Sequence, residues 1–95
     1  MSARPFALEV NLDDEVELKE FLQKHEPVRG ISLAHRLGFR GPGCKRAANA
    51  LMNYAQNKRA AQSCRRDGRI PTAQQYEEIC DRIYREDIQP VIECW

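Results

Sequence analysis

The apolar positions of this chain fall into four helical patterns. From Asp13 or Asp14, the segment "DDEVELKEFLQKH" sets Leu18, Phe21 and Leu22 on one stripe, behind acids that complement the positive end of a helix dipole. Pro27 predicts the stop. "SLAHRL" is a short second helix, with Ser32 as its N-cap and Gly38 just beyond its C-terminus. The third and longest helix starts near Cys44 and ends at Asp67-Gly68. Turned by 100° per residue, it gathers Cys44, Ala47, Ala50, Leu51, Tyr54, Ala55 and Ala61 on one arc. Lys58 and Arg65 fall within that arc, so the last two turns are expected to leave the core or to pair with acids elsewhere. A fourth helix follows "RIPTAQQ", where Thr72 and Gln75 fit a capping box and Pro71 sets the approach. Ala73, Tyr76, Ile79, Cys80, Ile83 and Tyr84 share its inner face, and Pro90 predicts its end.

The short turn between the last two helices makes them an antiparallel hairpin. At the N-terminus, Phe6, Leu8, Val10 and Leu12 alternate with Ala7, Glu9 and Asn11, and the chain closes on the apolar "PVIECW". Both read as extended segments, able to pair as a minor two-stranded ribbon. The expected fold is a small all-α domain spanning residues 1–95, with four helices, a long C-terminal helical hairpin and extended termini. A chain of 95 residues buries roughly 60 to 65% of its unfolded surface, enough for one core.

Composition narrows the class. With 42% hydrophobic and 31% charged residues, the chain has enough apolar side chains to fold and no run that would span a bilayer. "MSARPFALEVNLDDE" carries no signal-peptide pattern, which predicts a cytoplasmic protein without a membrane partner. Cys44, Cys64, Cys80 and Cys94 form no C-x-x-C pair, and neither His25 nor His35 lies within four residues of a cysteine. They read as reduced thiols, and no metal or other cofactor is expected. No G-x-S-x-G, H-E-x-x-H or complete P-loop occurs, so catalysis is not expected either.

The charge is segregated along the chain. Residues 1–28 hold three basic and seven acidic side chains, residues 29–69 hold ten basic and one acidic, and residues 70–95 hold two basic and six acidic. A basic block of this kind is the footprint of a nucleic-acid surface, unless the acidic ends fold back and neutralise it. Within it, "GFRGPGCKRAANAL" sets three glycines against a basic, alanine-rich helix start. Gly41 and Gly43 would let the backbone approach a phosphate, while Arg40, Lys45 and Arg46 neutralise charge, with Arg36 and Arg59 beside them. Asn49, Asn53 and Gln56, on the polar arc of the third helix, could read or steady base edges. The predicted partner is nucleic acid, DNA foremost. The alternative is a non-enzymatic adaptor or inhibitor that presents the helical hairpin to a protein, which exposed rings at Tyr76, Tyr84 or Trp95 would mark.

Three local resemblances accompany these readings. Phe39, Gly41, Gly43, Lys45, Ala47 or Ala48, and Leu51 follow a hydrophobic-x-Gly-x-Gly-x-Lys-x-x-Ala-type pattern over about 20 of the 95 residues, with "SLAHRL" ahead of it. The stretch thereby resembles the helix-hairpin-helix motif, which implies glycine N–H groups that bind phosphate without reading sequence; Pro42 stands where that family usually buries an aliphatic residue. "SLAHRLGF" also looks like the positioning helix of a helix-turn-helix. Gly68, Ile70, Ala73 and Tyr76 resemble the second half of a tetratricopeptide repeat, which implies a helical hairpin suited to gripping another protein.

Overall fold

Every regular element in the computed structural model, which describes residues 9–93, is helical. Helices α1 (Glu15–His25), α2 (Gly30–Leu37), α3 (Cys44–Arg66) and α4 (Ile70–Ile83) follow in order, and a π-helical turn (Tyr84–Ile88) leads into a short α5 (Gln89–Glu93). The all-α, four-helix domain with a C-terminal hairpin is therefore observed. Phe6, Leu8, Cys94 and Trp95 lie outside the described residues. Of the expected extended termini, residues 9–12 form no strand and Gln89–Glu93 is helix.

Helix α1 begins where the acids predict. The Asp14 carboxylate accepts from the N–H groups of Val16 at 2.9 Å and Glu17 at 3.2 Å, a cap worth about 1 kcal/mol. Leu18, Phe21 and Leu22 turn into the core, and the helix ends one residue before Glu26, ahead of Pro27. Helix α2 starts earlier than Ser32 suggests. Its N-cap is Arg29, with no side-chain cap; instead the Gly30 N–H donates to Asn49 Oδ1 of α3 at 3.3 Å, so a tertiary bond replaces the local one. At the other end Gly38 is left-handed, and the N–H groups of Gly38 and Phe39 return to His35 and Ala34 carbonyls at 3.2 and 2.9 Å. This glycine-closed turn drops the Phe39 ring entirely into the core.

Helix α3 is the spine. Its 23 residues extend about 35 Å at 1.5 Å per residue, most of the 41 Å long axis. Ala47, Ala50, Leu51, Ala55 and Ala61 are buried as the arc predicts, but so are Ala48 and Met52. Those two lie close on the helix to Asn49 and Gln56, which bond Gly30 of α2 and Glu26 after α1. The helix is thus enclosed from two directions, and its alanines let neighbours approach the backbone closely. Lys58 and Arg65 pair with acids, as expected, with Lys58 2.7 Å from Asp13 and Arg65 2.6 Å from Glu77. The last turns do not leave the core, since Ala61 and Cys64 stay buried.

Helix α4 runs antiparallel to α3. Arg65 meets Glu77 near the connecting turn, Cys80 Sγ donates to the Tyr54 carbonyl at 3.5 Å midway, and Arg46 meets Asp87 at 2.7 Å at the far end. The Thr72 capping box does not form. The helix starts at Ile70 with Arg69 as N-cap, and Pro71 lies in the first turn, where a missing N–H costs nothing. Pro90 does not end the helical path either. In the preceding π-helical turn the Gln89 N–H reaches the Tyr84 carbonyl, five residues back. That wider turn restarts the hydrogen-bond ladder, so Pro90 falls in the first turn of α5, where a missing N–H is tolerated. Among the described residues no helix is long and apolar enough to cross a membrane.

Among the described residues one polar side chain sits in this core. His25 is 2% exposed, its ring lies 4.9 Å from that of Phe21, and neither ring nitrogen has a hydrogen-bond partner. Burial, with repulsion from Arg36 and Lys24, holds its pKa below the usual 6.5. Glu17 and Glu20 share its cavity without bonding it. A histidine with a depressed folded pKa favours folding above its unfolded pKa, and that contribution is lost as pH falls. Stability should therefore decline from neutral pH through the range below 6.5, and His25→Phe, which keeps a ring and removes two unpaired nitrogens, should flatten that decline in urea titrations; an unaltered pH profile would show that His25 is not the titrating group. In the same assay Ala55→Leu should destabilise the domain by roughly 1–3 kcal/mol through overpacking of the spine.

Candidate nucleic-acid interface

The Gly-Pro-Gly stretch is first of all a turn. Gly41 and Gly43 have φ of +84° and +79°, a left-handed conformation that other L-residues adopt only with strain. Nothing lies within 4 Å of where a Cβ on Gly41 would sit, so conformation rather than space demands glycine there. The Cys44 N–H closes the turn on the Gly41 carbonyl at 3.2 Å, and the Ala47 N–H returns to Gly43 at 2.9 Å. Between them, the N–H groups of Lys45 and Arg46 meet no protein acceptor among the described residues, and no side chain caps α3. No acid lies in this first turn, in contrast to α1. Two cations at the positive end of a helix dipole oppose it.

The acidic ends do fold back, but only over part of the basic block. Asp13 takes Lys58, Glu15 takes Arg66, and Glu77 takes Arg65, all in the C-terminal half of α3. Asp67 takes Arg69 in the following turn at 3.4 Å. Arg29 donates to the carbonyls of Glu26 and Val28. Among the described residues Arg36, Arg40, Lys45 and Arg59 form no ion pair, and all four are exposed. Three of these four belong to α2, the following loop and the first turn of α3.

The structure separates the ten predicted site residues into groups. Lys45, Arg46, Asn49 and Asn53 line one groove of about 400 Å³ between α3 and the π-helical turn, with Ala50, Ile83 and Asp87 completing it. Arg40, Gly41 and Gly43 form the exposed turn that leads into α3. Arg36 lies on α2 and acts electrostatically on His25. Farther along α3, Gln56 donates to Glu26 at 3.3 Å, and Arg59 is exposed. Asn49 and Gln56 are thus used in holding α3 to the α1–α2 region, which leaves Asn53 as the exposed amide of the arc.

Asp87 and Ile83 were missed by sequence reasoning. Asp87 pairs with Arg46 at 2.7 Å, its side chain 26% exposed against 79% for the arginine. The predicted antiparallel hairpin returns this part of the chain toward the start of α3, but the helical pattern assigned Ile83 to the inner face of the fourth helix and gave Asp87 no partner.

Elsewhere the chemistry is muted. Cys64 and Cys80 are buried and Cys44 half-buried, all as free thiols, and burial pushes the Cys80 pKa up to about 11. Among the described residues no group of three potential ligands converges to hold a metal. Among the described residues the large exposed apolar side chains, Val16, Ile31, Ile70 and Tyr84, belong to four different elements. Comparison with protein-family models, curated proteins and solved structures finds no match to this chain.

The left-handed turn makes a specific demand. Gly41→Ala should cost roughly 1–2 kcal/mol of stability, and Gly41→Asn distinctly less, because asparagine tolerates this conformation. Equal losses for the two variants in urea unfolding would contradict a purely conformational role.

Proposed function

We propose that the protein binds nucleic acid, DNA foremost, by contacting phosphates at the α2–α3 end of the domain. The observation that carries this reading is the uneven neutralisation of the basic block. Acids from both ends of the chain pair with Lys58, Arg65 and Arg66, while Arg36, Arg40 and Lys45 remain free of ion pairs among the described residues. Beside Arg40 and Lys45 stand the uncapped N–H groups of α3, which a phosphate oxygen would satisfy. An anion bound there would also offset the repulsion between Lys45, Arg46 and the helix dipole. Binding of this kind is electrostatic and weakens steeply with salt.

Tyr84, 37% exposed with its ring 5.9 Å from that of Tyr54, supports a second reading as a protein-interaction surface. Fluorescence anisotropy with labelled oligonucleotides at about 50 and 200 mM salt separates the two. Arg40→Gln with Lys45→Gln should weaken binding and reduce the salt slope by about one per residue. Arg65→Gln, on the paired end, should leave both unchanged. Folded protein that binds no nucleic acid at low salt would refute the proposal and favour the protein partner.

A further inference from the structure

We infer that the groove between α3 and the π-helical turn takes one unstacked nucleobase of a single strand, and that the Asp87 carboxylate selects bases carrying an exocyclic amino group. The inference rests on the nucleic-acid reading and concerns what lies inward of the phosphate contacts. The groove measures about 400 Å³, at the lower end of the roughly 300–1,000 Å³ of small-molecule sites. Its walls divide by chemistry. Lys45 and Arg46 are exposed cations able to meet the backbone of a strand, whereas the half-buried Ile83, over the buried Ala50, gives an apolar surface for the face of a base. Asn53 is exposed and offers both an amide donor and an acceptor. In a duplex the faces of a base are stacked and its Watson–Crick edge is paired, so neither is presented to such a groove. A single strand presents both.

Among the described residues Asp87 is the one acid of this groove. A carboxylate only accepts hydrogen bonds. Its Oδ1 is engaged by Arg46 at 2.7 Å, which anchors the side chain, and a carboxylate has a second oxygen to accept from a ligand. The cytosine N4 amino group donates to such an oxygen; thymine presents its O4 acceptor at the equivalent place and is repelled. The two pyrimidines are nearly the same size, so shape does not tell them apart.

The test compares labelled oligo(dC), oligo(dT) and a mixed-sequence duplex of the same length by fluorescence anisotropy near neutral pH. Oligo(dC) should bind at least about fivefold more tightly than oligo(dT), and either single strand more tightly than the duplex. Asp87→Asn, whose amide can donate to thymine O4, should bring the dC/dT ratio close to one. Asn53→Ala should weaken single strands and leave the duplex unchanged. A ratio near one in the unaltered protein, or a ratio that survives Asp87→Asn in a variant shown to be folded by circular dichroism, would overturn the selection. Equal binding of duplex and single strands with a steep salt dependence would overturn the base site while leaving the phosphate contacts standing. Absence of binding to all three at low salt would overturn both.

Discussion

The double-sided packing of α3 constrains everything else in this domain. A helix enclosed by α1 and α2 on one side and by α4 on the other must be lined with small residues in both directions, and Ala47, Ala48, Ala50, Ala55 and Ala61 are all buried. On α3 the exposed side chains are Lys45, Arg46, Asn53, Arg59, Arg65 and Arg66, and the last two are held in ion pairs. Asn49 and Gln56 are half-buried, and their bonds to Gly30 and Glu26 tie the helix to the chain between α1 and α2. The exposed polar side chains that line the groove, Lys45, Arg46 and Asn53, all lie in the N-terminal half of the helix.

Charge follows the same geometry. The N-terminal acids reach α3 only where α1 begins, beside Lys58 and Arg66, and Glu77 reaches it only near the hairpin turn. An antiparallel hairpin of this length carries the later acids to the other end, and there, among the described residues, Asp87 alone meets a cation of α3, Arg46. Near electroneutrality of the whole chain therefore coexists with an uneven surface. Exposed ion pairs of this type contribute little to stability; their consequence is to decide which cations remain available.

Much of the fold was legible because local signals and packing agree. Asp14 caps α1, Gly38 ends α2, and the Asp67-Gly68 turn separates α3 from α4 where the pattern places it. The errors arose where tertiary structure overrode a local rule. Ser32 and Thr72 looked like caps, but Gly30 found its acceptor on α3 and Pro71 tolerates a helix start at Ile70. Met52 falls among polar positions of α3 and is buried all the same, in the core cluster. Pro90 looked like a terminator, and the wide π-helical turn before it absorbs the irregularity. The candidate site was legible in its cations and its glycines, which are neighbours in sequence. Its far wall of Ile83 and Asp87 was not singled out, since the site was read from neighbours in sequence and the hairpin that folds this wall back onto α3 leaves no local signal at either residue.

The most direct test of an interface confined to one end of α3 is a backbone amide NMR titration of isotope-labelled protein with a short single-stranded oligonucleotide. Shift changes gathered over residues 40–53 and 83–87, with residues 58–77 unmoved, are the predicted result. Changes centred on the paired end near Arg65 and Glu77, or none at a low-salt concentration where the protein is folded, would contradict it.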